Sequence, residues 1–156
     1  MNMTKKKSRC TTSPIVYPIS MRDISRYNDY GFVQYKLNET FGEALRRYMS
    51  DTAINRDTLS KITDISLPAI HRYLHNEVEM SLEHTAAICI AMRLHPMRSE
   101  YLFDLSRSYL NKNDQRDSII LHFLYGCAFQ GDFTLKARNL ELKSRRLKPL
   151  TDLDEG

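Results

Sequence analysis

A chain of 156 residues, 42% hydrophobic and 27% charged, has the size and composition of one globular domain with an appendage. That balance excludes a wholly disordered or collagen-like chain. No charge-free apolar window of about 18 residues is present, so no membrane partner is expected. The net charge of +4 is unevenly spread: residues 1–37 carry +5, residues 38–110 carry −2 and residues 111–156 carry +1.

Residues 1–37 read as a basic arm, partly flexible. Lys5, Lys6, Lys7 and Arg9 are followed by Thr11, Thr12, Ser13 and Pro14 rather than an apolar run, so the segment does not read as a secretory signal. Pro14 and Pro18 exclude a helix interior. A short helix is expected after Ser20, with Met21, Ile24 and Tyr27 on one face. The strand-forming stretch from Gly31 to Lys36 has no partner strand and is read as coil.

From Asn38 the apolar spacing becomes helical. Phe41, Leu45, Tyr48 and Met49 share one face of a first helix. Asn55 is the expected N-cap of a second, carrying Leu59 and Ile62. Asp64 is a turn residue. Ser66 caps a third helix with Pro68 in its first turn and Ile70, Tyr73 and Leu74 facing inward. His75-Asn76 ends it, because Asn tolerates the left-handed conformation that closes helices. Ser81 caps a fourth helix, which Pro96 stops, and Ser99 is expected to cap a fifth. A C-terminal helical pair follows in residues 111–156. Its first helix carries Ile119, Ile120, Phe123, Leu124 and Cys127. Its second, capped by Asp132, carries Leu135, Leu140 and Leu142. The expected fold is all-α: a five-helix domain over residues 38–110 plus this pair.

Chemistry-bearing patterns are sparse. Cys10, Cys89 and Cys127 are too scattered for a disulfide framework or a CxxC metal site, and a cytoplasmic chain with reduced thiols is expected. Cys89 and Cys127 fall on apolar faces and read as core thiols. No Gly-rich phosphate loop, GxSxG or HExxH is present, so neither an enzyme nor any cofactor is expected. His71 and His75 stand four residues apart without a third ligand nearby, which argues against a metal site.

The informative stretch is Asn55 to Asn76, two short helices around the turn Thr63-Asp64-Ile65-Ser66. The sequence RDTLSKITDISLPAIHRYLHNEVEMSLEHTAAICIAM resembles the lambda-repressor/Cro-like (Xre-type) helix-turn-helix family over about residues 38–95. Leu59-Ser60, Asp64-Ile65-Ser66, Asn76 and Met80-Ser81 stand at the family's marker positions. Asp64 and Asn76 replace glycines, and Asn and Asp are the side chains that best tolerate positive φ. Where family members often pair a buried Arg on helix one with a Glu on helix three, this chain has Met49 and Leu74. An apolar pair replaces a buried ion pair at little cost.

The resemblance implies double-stranded DNA binding with the third helix, about residues 66–75, in the major groove. Carried over by position, the base contacts fall on Leu67, Pro68, His71 and Arg72. The phosphate contacts fall on Asn55, Arg56, Ser66 and His75. A transcriptional regulator is implied, acting as a homodimer on paired half-sites. The apolar residues of the C-terminal pair form a stripe wider than one-sided packing needs, which offers a dimer surface. Glu77, Glu79 and Glu83 depart from the family's basic residues after helix three and oppose contact with phosphate. They keep open an alternative, a helix-turn-helix protein-interaction adaptor without significant DNA affinity.

Overall fold

A computed structural model describes residues 35–131 and 133–153, which fall within one compact unit, residues 35–156. The expected helix after Ser20, nearly all of the basic arm and the Asp132 cap lie outside the described residues. Seven helices and no strand occur among the described residues: α1 (Phe41–Asp51), α2 (Arg56–Thr63), α3 (Leu67–Leu74), α4 (Leu82–Ala91), α5 (Pro96–Ser106), α6 (Gln115–Gly126) and α7 (Leu135–Ser144). The class is all-α, as the spacing predicts. None of these helices is long and apolar enough to cross a membrane.

The starts of the helices follow side-chain capping. Thr40 and Glu43 form a reciprocal capping box at α1. Asn55, Ser66 and Ser81 each accept a backbone N–H at the start of α2, α3 and α4, in the roles expected of them. Two starts differ from expectation. Helix α5 begins at Pro96, with His95 as its cap, rather than at Ser99. A proline at the first helical position lacks an N–H that no helix bond needs, so Pro96 starts this helix instead of merely stopping the one before. At α7 the cap is Thr134, whose hydroxyl accepts from Ala137 N–H at 3.2 Å.

The helix ends share a less usual device. Asn38, Ala53, Asp64, Asn76, Arg93, Arg107 and Arg146 all have positive φ without being glycine. Five of them close a helix by the paired backbone bonds of a Schellman motif. At α1, Ala53 N–H reaches Ser50 O and Ile54 N–H reaches Met49 O. At α3, Asn76 N–H reaches Tyr73 O and Glu77 N–H reaches Arg72 O. The same pattern ends α4 at Arg93, α5 at Arg107 and α7 at Arg146.

Helix α4 is the hub. Thr85, Ala86, Ala87, Ile88, Cys89 and Ile90 are buried in succession, which places protein on every side of it. It packs on α2 and α5 of the central domain and on α6 and α7 of the C-terminal pair. Arg93 ties the two parts together. Its guanidinium donates to the carbonyls of Cys127, Gln130 and Gly131, at the carboxyl end of α6 where a cation is favoured. Cys89 and Cys127 are core thiols, and burial pushes both up to about 12.

The C-terminal pair does not expose the wide apolar stripe its sequence suggests. Ile120, Phe123, Leu124, Cys127 and Leu135 are buried, and Leu142, expected off the main stripe, is 0% exposed. Ile119 and Leu140 are half-buried. The reason is the chain beyond α7. Asn139, itself fully buried, accepts Leu150 N–H at 2.9 Å and donates to Thr151 Oγ1 at 3.1 Å, which seats Leu150 in the core. That segment covers a face which the helical spacing alone leaves open.

Ala53 is exposed, so its replacement costs no packing. Its positive φ strains any Cβ by about 1 kcal/mol, a strain glycine lacks. Ala53→Gly is therefore expected to stabilise the chain by about 1 kcal/mol. Urea unfolding checks this, and an unchanged or lower midpoint contradicts it.

Candidate nucleic-acid interface

The turn between α2 and α3 is fixed by four local contacts. Asp64 takes the left-handed conformation at φ 60° and donates its N–H to Ser60 O at 2.8 Å. The buried Thr63 hydroxyl donates to Leu59 O at 2.6 Å and accepts Ile65 N–H at 3.2 Å. Ser60 Oγ donates to Ile65 O at 2.7 Å. Ile65 is buried and ties the turn to the core, as its place in the sequence suggests. The N–H groups of Asp64 and Ile65 and the Ile65 carbonyl are thus satisfied within the turn.

Helix α3 then has two faces. Ile70, Tyr73 and Leu74 are buried against α1 and α2. Pro68, His71, Arg72 and His75 are exposed, and Leu67 keeps 43% of its surface in solvent. These five positions lie on one side of a helix of 3.6 residues per turn. Arg72 makes no hydrogen bond or ion pair among the described residues, so its planar fork of donors is available.

Three of the carried-over phosphate positions, Asn55, Arg56 and His75, gather by the carboxyl end of α3, while Ser66 caps its amino end. Asn55 Oδ1 accepts Thr58 N–H at 2.8 Å, which leaves its amide nitrogen as donor. Arg56 opens α2, is exposed, and brings Nη1 to 3.4 Å from His71 Nδ1. Ser66 Oγ accepts Ala69 N–H at 3.3 Å. The His75 ring stacks on His71 with centroids 4.1 Å apart and donates Nδ1–H to His71 O at 2.9 Å. Asn55, Arg56 and His75 line one surface recess together with Arg46 and Ser50 of α1. Met49 and Leu74, the expected apolar replacement of an ion pair, are both buried at its floor.

Sequence reasoning missed the groups that hold α3 in place. Arg46 Nη2 donates to Leu74 O at 2.6 Å across 28 residues of sequence. Asn76 Oδ1 accepts Gly42 N–H at 2.9 Å, and its Nδ2 donates to Thr40 Oγ1 at 3.0 Å. Gly42 lies so close to the Leu74 carbonyl that any Cβ would collide with it. The one signal for this is Gly42 itself, a glycine inside a helical stretch, which marks a close approach. Behind α3, Tyr73 Oη and His84 Nδ1 are 2.6 Å apart. Burial holds the His84 pKa below the ordinary histidine value, which favours the neutral ring across this contact.

The acids after α3 divide. Glu77 and Glu79 are exposed and make no ion pair among the described residues. Glu83 does not act as a free charge at this surface. Arg116 of α6 pairs with it at 3.2 Å, the same guanidinium donating to Lys148 O at 2.8 Å. Burial raises the Glu83 carboxyl, but bonding from its own backbone N–H and from Arg116 outweighs that, and its pKa lies below the usual range.

Residues 44–96 match the family model described as Cro/C1-type HTH DNA-binding domain, about a third of the chain. The match runs from within α1 to the first residue of α5 and takes in all of α2, α3 and α4. Sequence and helix arrangement therefore agree on a helix-turn-helix domain of the Cro/C1 type in the centre of the chain. That domain supports a DNA-binding regulator in general terms. Neither the curated proteins nor the solved structures contain a match to the chain.

The Tyr73–His84 pair gives the domain a pH dependence. A histidine whose folded pKa is lowered binds fewer protons folded than unfolded, so stability falls as pH drops below about 6.5 and is level above it. His84→Gln, which still accepts from Tyr73 but does not titrate, is expected to remove this part of the slope. Unfolding free energies from about pH 5 to 8 test it. An identical slope in wild type and variant contradicts it.

Proposed function

We propose that this chain is a sequence-specific, double-stranded DNA-binding transcriptional regulator inside the cell, with no catalytic step of its own. Residues 38–110 carry the DNA contacts and α3 enters the major groove. The carrying observation is the exposed stripe Leu67, Pro68, His71 and Arg72 on a helix whose other face is anchored by Ile70, Tyr73 and Leu74. Arg72 forks to guanine O6 and N7, and Leu67 and Pro68 offer apolar contact to a thymine methyl. Asn55, Arg56, Ser66 and His75 face the phosphates, where helix N-terminal N–H groups also favour an anion.

A homodimer is part of this reading. An eight-residue helix reads only a few base pairs, so two copies on half-sites about 34 Å apart are needed for a unique operator. The dimer contact is assigned away from the apolar stripe of α6 and α7, which the chain's own core consumes. The unpaired Glu77 and Glu79 favour the competing reading, a protein-interaction adaptor on the same scaffold.

Selection of bound fragments from random-sequence duplexes separates the two readings. Enrichment of a motif, with affinity falling steeply as salt rises, is expected of the regulator. No enrichment and no salt-dependent retention would leave the adaptor. Arg72→Ala is expected to cost about 1–3 kcal/mol on the selected site and to relax specificity at one base pair. Arg56→Ala should weaken selected and random duplexes alike. Equal losses on both duplexes for both variants would overturn the role given to Arg72. Glu77→Lys with Glu79→Lys should tighten binding and steepen its salt dependence. An unchanged salt slope would place this loop away from the backbone.

A further inference from the structure

The two histidines on the DNA-facing side of α3 differ in which nitrogen is free. His71 Nδ1 faces the Arg56 guanidinium, which only donates, so Nδ1 is the acceptor and the neutral ring carries its proton on Nε2. His71 therefore presents an Nε2–H donor outward in either charge state. His75 is the reverse. Its Nδ1 lies 2.9 Å from the His71 carbonyl, which only accepts, so the proton sits on Nδ1. The neutral His75 ring then presents a bare lone pair at Nε2.

A lone pair cannot bond a phosphate oxygen, which is itself an acceptor. His75 becomes a donor to phosphate only by taking up a proton at Nε2. From this we infer that DNA binding is coupled to uptake of one proton at His75, and that His71 takes no part in the coupling. The inference rests on the reading of His75 as a phosphate contact.

The surroundings favour this coupling. The charged groups lining the recess with His75 are cations, Arg46 from α1 and Arg56 from α2. On its own segment stand His71, Arg72 and Glu77. A phosphate placed beside the ring favours its protonated form. His75 is also the C-cap of α3, where a cation is favoured by the helix dipole. Its ring is exposed, so the proton exchanges directly with solvent.

The test is the affinity of the full chain for a labelled random-sequence duplex, at fixed ionic strength, between about pH 6 and 8.5. Circular dichroism at each pH confirms that the fold is intact. Wild type should weaken with rising pH, approaching tenfold per pH unit at the steepest, the signature of one proton. His75→Gln should flatten the profile. His75→Lys, charged throughout, should flatten it at the tighter, low-pH level. His71→Gln should keep the wild-type slope whatever it does to affinity. A duplex bound equally well at every pH, or a slope that survives His75→Gln, overturns the inference and leaves the DNA reading standing. No binding to any duplex at any pH removes the DNA reading and the inference with it.

Discussion

The approach of Gly42 to the last turn of α3 sets the geometry of the whole interface. At that point α1 begins and α3 ends, and the two backbones meet with no side chain between them. Three polar side chains bond across the contact. Asn76 in its left-handed conformation turns its amide onto Gly42 and Thr40, and Arg46 takes the Leu74 carbonyl. A helix of eight residues has little stability of its own in water. Its orientation must come from tertiary contacts, and here they are concentrated at its carboxyl end. The amino end, where Leu67 and Pro68 stand, is held only by the Ser66 cap and the α2 turn, and is left open to a partner.

The C-terminal pair contributes to that interface without touching it. Arg116 crosses from α6 to Glu83 at the start of α4 and also bonds the Lys148 and Pro149 carbonyls. One guanidinium thus joins α6, the α7–tail segment and the helix that follows the recognition loop. Its electrostatic effect is to remove one of three acids from the surface that sequence reading assigns to phosphate. Arg93 works in the other direction, from the end of α4 onto the carbonyls beyond α6. The central domain and the pair are therefore linked by two arginines of opposite provenance, and the acidity of residues 38–110 overstates the charge met at α3.

Much of this was legible in the sequence because it is local. A cap and its acceptor lie three residues apart, so Asn55, Ser66 and Ser81 announce α2, α3 and α4. Asp64 and Asn76 announce their left-handed turns by side-chain type. The exposed stripe of α3 follows from a period of 3.6 once Ile70, Tyr73 and Leu74 are taken as inward. What was not legible is long-range or ambiguous. A proline can stop a helix or begin one, and the flanks of Pro96 do not say which; α4 closes earlier, at Arg93, and Pro96 begins α5. Ala53, Arg93, Arg107 and Arg146 adopt positive φ with no residue-type signal, because the Schellman bonds and the contacts around them override the preference. Leu142 looked superfluous because the segment that Asn139 seats beside α7, around Leu150 and Thr151, has no helical period to read. The Gly42–Asn76 clamp spans 34 residues.

The charge pattern bears on how such a surface would discriminate among DNA sequences. Of the acids in residues 38–110, Glu39, Asp51 and Glu83 are neutralised by Arg47, Arg98 and Arg116. Few cations are left over at the α3 face: Arg46, Arg56 and Arg72, with His75 when protonated. Each phosphate neutralised adds about one released counterion to the affinity, so a single copy has a small sequence-independent term. Glu77 and Glu79 make it smaller still. On the DNA reading this is a gain, since specificity is a ratio. Acids near the backbone penalise every sequence equally, while the bonds of Arg72 and the apolar contacts of Leu67 and Pro68 count only on the right one. The cost is absolute affinity, and two remedies fit this chain. A second copy doubles both kinds of contact on an operator with two half-sites. On the inference drawn for His75, a proton taken up on binding adds one more cation.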